Sequence, residues 1–174
     1  MKKPAVFLDR DGTVCEEVGY LSRVKDLRLI PGSAQAIRKI QQVGWKVVII
    51  SNQSGVARGY MTEETVQTIH AALREMLQKQ GAAIDGIYYC PHHPQGNPPY
   101  NTHCDCRKPE AGMLRQAARD LDIDLRKSIV IGDKYSDVQT AQRLNIPGLL
   151  VLTGFGKGEL EKYQQNWEKA PEHI

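Results

Sequence analysis

Apolar residues along the chain fall into short continuous runs, separated by longer stretches with helical spacing. The runs are Ala5-Val6-Phe7-Leu8, Val47-Val48-Ile49-Ile50, Ile87-Tyr88-Tyr89, Ile129-Val130-Ile131 and Leu149-Leu150-Val151-Leu152. A strand with one wet face would alternate apolar and polar residues; these do not, and so suit strands covered on both faces. Between them the apolar positions recur every three or four residues. Ser33 reads as an N-cap before Ala34, Ile37 and Ile40, with Gly44 past the end; Thr62 precedes Val66, Ile69, Leu73 and Leu77, which stop near Gly81. Leu114, Ala117, Ala118 and Leu121 mark a third helix, and Val138, Ala141 and Leu144, closed by Asn145 before Pro147, a fourth. Leu160, Tyr163 and Trp167 predict a short helix in the tail that packs back on the domain. Strand and helix alternate throughout, which predicts an α/β fold with a doubly wound, Rossmann-like parallel sheet. Ligands in such sheets gather at the carboxyl ends of the strands, so the loops after each strand carry the chemistry.

Composition narrows the class. With 174 residues, 41% hydrophobic and 25% charged, the chain has the size and apolar content of a single domain spanning 1–174. A net charge of +3 falls well short of a concentrated basic footprint, so no nucleic-acid partner is expected. Met1-Lys2-Lys3 leads directly into the first short run, and no stretch approaches the ~18 apolar residues of a membrane span, so a cytosolic protein without membrane contact is expected. A monomer is expected because no long apolar surface pattern stands out.

Three of the four cysteines fall in the one long irregular stretch, Pro91 to Pro109 and its approach: Cys90-Pro91-His92, then Cys104-Asp105-Cys106. In a reducing compartment a Cys₃His set reads as a metal site rather than as disulfides, and four N/S ligands suit a closed structural zinc. Such a zinc would staple the loop at 90–108 and fix Arg107 and Lys108, which follow at once. His93 and His103 lie beside these ligands as possible substitutes, and buried free thiols are the bland alternative. Cys15 stands apart and reads as packing.

The first strand ends in Asp9-Arg10-Asp11-Gly12-Thr13, two carboxylates two residues apart at a strand tip. Alone, this is as compatible with turn chemistry as with catalysis. Three more strand ends decide between them. Ser51-Asn52-Gln53-Ser54-Gly55 offers a hydroxyl and backbone N–H groups to an anion, Arg107-Lys108-Pro109 supplies cations with Pro109 near the first turn of the next helix, and Gly132-Asp133-Lys134-Tyr135-Ser136-Asp137 adds further carboxylates. In-line displacement at phosphorus wants one carboxyl group that attacks and another that handles protons.

These four motifs, in this order, resemble those of the haloacid-dehalogenase-like phosphohydrolases. The resemblance implies that Asp9 is the nucleophile, Asp11 the general acid and base, and Ser51 and Lys108 the groups that stabilise the phosphoryl oxygens. It also implies a catalytic Mg²⁺ held by the Asp9 carboxylate, the Asp11 backbone carbonyl and Asp133. An acid at Asp11 favours a hydrolase: the dehalogenases of the superfamily lack one there, and the ion pumps carry Thr. Cys-Pro-His-x-Pro followed by Cys-Asp-Cys-Arg-Lys-Pro is similar to a narrow branch, the D-glycero-D-manno-heptose 1,7-bisphosphate 7-phosphatases and the histidinol-phosphatases; its pattern selects His92 as the fourth zinc ligand. Ser51 to Gly59 looks like the heptose members. By that resemblance Glu17, Val18, Gly19 and Tyr20, with Ser51, Asn52, Gln53 and Ser54, line the sugar site, Arg107 recognises the distal end of the substrate, and Lys134 contacts the scissile phosphate. Arg58 faces substrate or braces its loop. The spacing of the motifs leaves no room for a large cap domain, so an open site is expected. Members of the branch continue with a further strand and helix, which leaves the last sheet edge open in the tail from residue 157. The rival readings are a histidinol-phosphate phosphatase and, from another class, a DNA 3′-phosphatase or zinc-stabilised nucleic-acid-binding module.

Overall fold

In the computed structural model, which describes residues 2–163 and 172–173, the apolar runs become parallel strands of one sheet. The strands are β1 (Ala5–Leu8), β2 (Lys46–Asn52), β3 (Gly86–Cys90), β4 (Ile129–Gly132), β5 (Gly148–Leu150) and β6 (Glu172–His173). They lie in the order β3-β2-β1-β4-β5-β6. The chain therefore winds outward from β1 in one direction and then, from β4, in the other. The crevice between the carboxyl ends of β1 and β4 is the topological switch point of the sheet.

Among the described residues five α-helices connect the strands: α1 (Ser33–Gln42), α2 (Glu63–Lys79), α3 (Gly112–Asp120), α4 (Tyr135–Gln142) and α5 (Gly156–Tyr163). Alternate residues of the central strands feed two separate cores. Val6, Leu8, Val47 and Ile49 pack with Ala34 and Ile37 of α1 and Ile69, Leu73 and Leu77 of α2. Ala5, Phe7, Val48 and Ile50 pack on the opposite face with Met113, Leu114 and Ala117 of α3 and Ala141 of α4. That two-sided burial is why the runs are unbroken. Truncating Phe7, fully buried at the centre, to alanine would cost about 3–5 kcal/mol, a large share of a domain's ~5–15 kcal/mol.

Local signals place most helix ends. Thr62 caps α2, its hydroxyl accepting the Thr65 N–H at 3.1 Å, and Asn145 closes the α4 segment at φ +53°. Two expectations are corrected. The residue before α1 is Gly32, at φ +89°, a left-handed conformation suited to glycine; Ser33 is already helical and its buried hydroxyl has no partner. Pro109, expected near the first turn of α3, precedes that helix, which begins only at Gly112, and follows Lys108 through a cis peptide bond within the loop. In the tail, α5 contains Leu160 and Tyr163, and the Tyr163 ring stacks on Tyr135 of α4 at 4.5 Å; Trp167 lies outside the described residues. The sheet edge left open by the sequence carries β6, paired parallel to β5. Among the described residues no helix is long and apolar enough to cross a membrane.

Candidate active site

The four motifs converge at the switch point. Asp9 follows β1, Ser51 and Asn52 end β2, and Asp133 follows β4; Lys108 reaches in from the loop after β3. Its ammonium lies 2.9 Å from Asp9 Oδ1 and 2.5 Å from Asp137 Oδ1, and donates to the Ile50 carbonyl at 3.1 Å. Carboxylate oxygens of Asp9, Asp133 and Asp137 all lie within 4.8 Å of one another. All four side chains are almost fully buried.

Three buried carboxylates against one lysine leave an excess of negative charge. Burial and the neighbouring Asp9 push Asp133 up to about 7, against Lys134 and the Phe155 N–H, which donates to Asp133 Oδ2 at 2.8 Å. Burial would deprotonate Lys108, but Asp137 and Asp9 outweigh it and hold the ammonium charged. Asp133 Oδ1 is buried with no partner. An orphaned oxygen within a hard, all-oxygen donor set fits a divalent cation that prefers carboxylates. The turn is packed against this set: Gly12, at φ +79°, lies so close that a Cβ there would occupy the Asp133 carboxylate. Asp137, the last residue of its motif, was given no role in the sequence reading; it sits on the first turn of α4 and points back to the strand tip, where its Oδ2 accepts the Lys134 N–H at 3.0 Å.

Asp11 lies apart from the carboxylate cluster. Its two oxygens accept from the Arg10 guanidinium at 3.0 and 2.8 Å and from Gln53 Nε2 at 3.0 Å. Burial opposes its ionisation, but Arg10, Gln53 and Lys134 outweigh burial and hold the carboxyl below its ordinary range. Arg10 is 1% exposed, an unusual burial for a charge, and sequence reasoning passed over it. The one signal available was an arginine between two aspartates at the end of a buried strand.

A cavity of 310 Å³ opens beside these groups, lined by Asp11, Glu17, Gly19, Tyr20, Asn52 and Gln53 and closed by Ser54, Gly55, Lys134 and Phe155. The Lys134 ammonium lies 3.3 Å from Glu17 and 4.6 Å from the centre of the Phe155 ring. Most of the expected sugar-site residues are thus brought together. Val18, Ser51 and Arg107 lie outside this lining, and Asn52 and Gln53 are also tied to neighbouring groups. Val18 lines a separate open groove with Ser22 and Arg23. The Asn52 amide brackets Lys108, donating to its carbonyl and accepting its N–H, both at 3.0 Å. Gln53 donates to Ser51 Oγ at 2.7 Å. Arg107 is half-buried outside the cavity lining and donates to the His92 carbonyl at 3.2 Å; burial and nearby Arg58 lower its pKa. Cys15 is buried behind Asp11, its thiol donating to the Arg10 carbonyl at 3.4 Å.

Beyond β3 a second cluster forms. The sulfurs of Cys90, Cys104 and Cys106 are 2.9, 3.2 and 3.5 Å apart, and His92 Nδ1 lies 3.4 Å from Cys106 and 3.7 Å from Cys90. These separations exclude disulfides, whose sulfurs stand ~2.05 Å apart. They approach the ~3.7 Å edges of a tetrahedron around a metal 2.3 Å from sulfur. The close contacts with the Cys90 and Cys104 sulfurs and the neighbouring His92 pull the Cys106 pKa down, against burial, so Cys106 is the thiol of the set that ionises most readily. His93 is turned elsewhere, towards Arg58 at 3.2 Å and the Gln95 N–H.

Comparison with known proteins adds to this geometry. Residues 105–174 match the HAD-hydrolase-like family. The chain is 44% identical over its whole length, and 91% of the relative's, to the D-glycero-D-manno-heptose-1,7-bisphosphate 7-phosphatase of Thermosynechococcus vestitus. It is 43% identical, over 88% of its length and 81% of the relative's, to the D-glycero-beta-D-manno-heptose-1,7-bisphosphate 7-phosphatase of Escherichia coli K12. The crystal structure of D,D-heptose 1,7-bisphosphate phosphatase from B. bronchiseptica, complexed with magnesium and phosphate, superposes with a TM-score of 0.86 at 34% identity, covering 98% of this chain and 92% of that one.

Proposed function

The chain belongs to the heptose-1,7-bisphosphate 7-phosphatase family of the haloacid-dehalogenase-like hydrolases, and from that membership we propose that it removes the 7-phosphate of D-glycero-D-manno-heptose 1,7-bisphosphate through an aspartyl-phosphate. The observation that carries this reading is the position of Asp9: at the switch point, 2.9 Å from the Lys108 ammonium, with Asp11 two residues on at the edge of the cavity.

Asp9 attacks phosphorus in line, the bond from phosphorus to the C7 oxygen breaks, and Asp11 delivers a proton to the departing oxygen; it enters this step protonated because the dianionic phosphate beside it opposes the ionised form that Arg10, Gln53 and Lys134 favour. Asp11, now ionised, takes a proton from the water that hydrolyses the aspartyl-phosphate. Lys108 and Ser51 meet the phosphoryl oxygens, where preorganised positive charge and donors lower the barrier most. Asn52 positions Lys108 by holding its peptide. The charge imbalance and the orphaned Asp133 oxygen support a Mg²⁺ site, where Asp9, Asp133 and the Asp11 carbonyl would hold the ion and its charge would offset that of the phosphate. Lys134, drawn towards the cavity by Glu17, contacts the scissile phosphate. Glu17, Gly19, Tyr20 and Ser54 line the sugar, and Arg107 recognises the distal end of the substrate.

The Cys90, His92, Cys104 and Cys106 set is read as a structural Zn²⁺ site, supported by three sulfurs and an imidazole close to tetrahedral spacing; zinc there would fix the segment that carries Arg107 and Lys108. The reading is completed by a single-domain, cytosolic monomer acting on a small sugar phosphate. The deciding measurement is kcat/KM on heptose 1,7-bisphosphate against histidinol phosphate, since differential transition-state binding defines the substrate. The heptose is expected to win; preference for histidinol phosphate overturns the assignment.

A further inference from the structure

Arg10 has a partner that neither the motifs nor the proposed chemistry account for. Its Nε and Nη2 form a two-point fork on Asp11, Nη2 also donates to Gln53 Oε1 at 3.0 Å, and Nη1 lies 3.2 Å from Nε2 of His70, sixty residues away on α2. His70 is 6% exposed, and its ring meets Tyr89 of β3 edge-on at 5.4 Å. Guanidinium only donates, so His70 must accept through an Nε2 lone pair. Burial, Arg10 and Arg74 push the imidazole down to about 3, against Asp11, which leaves it neutral and able to accept. The Cys15 thiol closes the other side of Asp11, 3.5 Å from Oδ1. The carboxylate is therefore gripped by a buried arginine that is itself gripped from a different helix.

We propose that His70 is a positioning residue for catalysis: by accepting from Arg10 Nη1 it fixes the guanidinium plane, and through the two-point fork it fixes the direction in which Asp11 presents its proton. The inference rests on the reading of Asp11 as general acid and base. A proton donor must lie within hydrogen-bond reach of the leaving oxygen, and a misplacement of ~1 Å costs about 100-fold. Without an acceptor at residue 70, Nη1 would be buried with an unmet N–H, and the fork would turn to find one.

The test exploits leaving groups. The C7 alkoxide of the heptose cannot depart unprotonated, whereas 4-nitrophenolate can. Because kcat/KM reports only the steps up to departure of the leaving group, the ratio of kcat/KM on heptose 1,7-bisphosphate to that on 4-nitrophenyl phosphate isolates the acid's contribution. The ratio is also independent of how much of a variant is folded, since both substrates meet the same active molecules. In His70→Leu and His70→Met, which lack a good acceptor, the ratio is expected to fall about tenfold. His70→Gln, which keeps a carbonyl acceptor, should stay within about twofold of wild type. An unchanged ratio in the Leu and Met variants, or an equal fall in His70→Gln, overturns the proposal. Asp11→Asn separates the two levels. If it leaves the ratio unchanged, the general-acid reading fails; if it lowers the ratio while His70→Leu does not, only the positioning role fails.

Discussion

At the tips of β1 and β4, Asp9, Asp133 and Asp137 crowd around Lys108; beyond β3, Cys90, His92, Cys104 and Cys106 close on one another. Both clusters are small and dense, and both fit a cation, yet they differ in what they leave unsatisfied. The oxygen cluster carries more negative charge than Lys108 cancels, keeps a buried oxygen without a partner, and adjoins a cavity. The sulfur cluster turns its four donors on one another, close to tetrahedral spacing. A site that must react keeps part of its coordination free for a ligand, whereas one that must hold a loop closes it.

The strongest way to break this contrast is Asp9→Asn. Turnover is expected to fall by at least about 10⁴-fold, roughly 5.5 kcal/mol of barrier, while the melting temperature moves by no more than about 3 °C. Phosphate release and a thermal melt on the same sample check both halves; a large loss of stability with turnover retained would merge the two clusters' roles. Cys106→Ser should do the reverse. It removes a donor from the proposed zinc site and should cost about 3–5 kcal/mol of stability, a drop on the order of 10 °C, with turnover per folded molecule reduced far less. Chelation extends the contrast: stripping Mg²⁺ should abolish turnover reversibly at nearly constant melting temperature, whereas stripping zinc should lower that temperature. Gly12→Ala sharpens the comparison on the oxygen side. A methyl group forced into the Asp133 carboxylate, on a backbone at φ +79°, should lower both stability, by about 2 kcal/mol, and turnover.

The smallest effect concerns pH. The folded enzyme keeps His70 neutral down to about 3, where an ordinary imidazole takes its proton near 6.5. Between those values the unfolded chain binds the extra proton, so stability is full above 6.5 and declines as the pH falls through that window. Unfolding free energies from urea titrations at about pH 7.5 and about pH 5 should differ by ~1–2 kcal/mol less in His70→Gln than in wild type, if this imidazole carries that part of the acid sensitivity.

The strands and most helices were legible because burial on both faces writes itself as unbroken apolar runs, and caps such as Thr62 are local. The four motifs were legible because each sits at a strand tip, and a sheet of known winding brings those tips together. What stayed hidden depends on contacts between segments distant in sequence. Nothing near residue 70 announces that it meets Arg10, and nothing near Asn52 that its amide brackets the Lys108 peptide. Asp137 was visible as a motif position, but its direction follows from the first turn of α4, which points it back at Lys108. At residues 32 and 33 the capping rule named the serine because it weighs side-chain acceptors, whereas the backbone there needed the left-handed glycine before it.

The cavity beside Asp11 is only half enclosed, with Tyr20 and Phe155 half-exposed on its rim. Enclosure must then come from the guest: a long, two-headed molecule spanning from Lys108 towards Arg107 would roof the reaction with its own carbon skeleton and expel the water that short esters leave behind. Trimming the guest should consequently slow its conversion more than it loosens its grip.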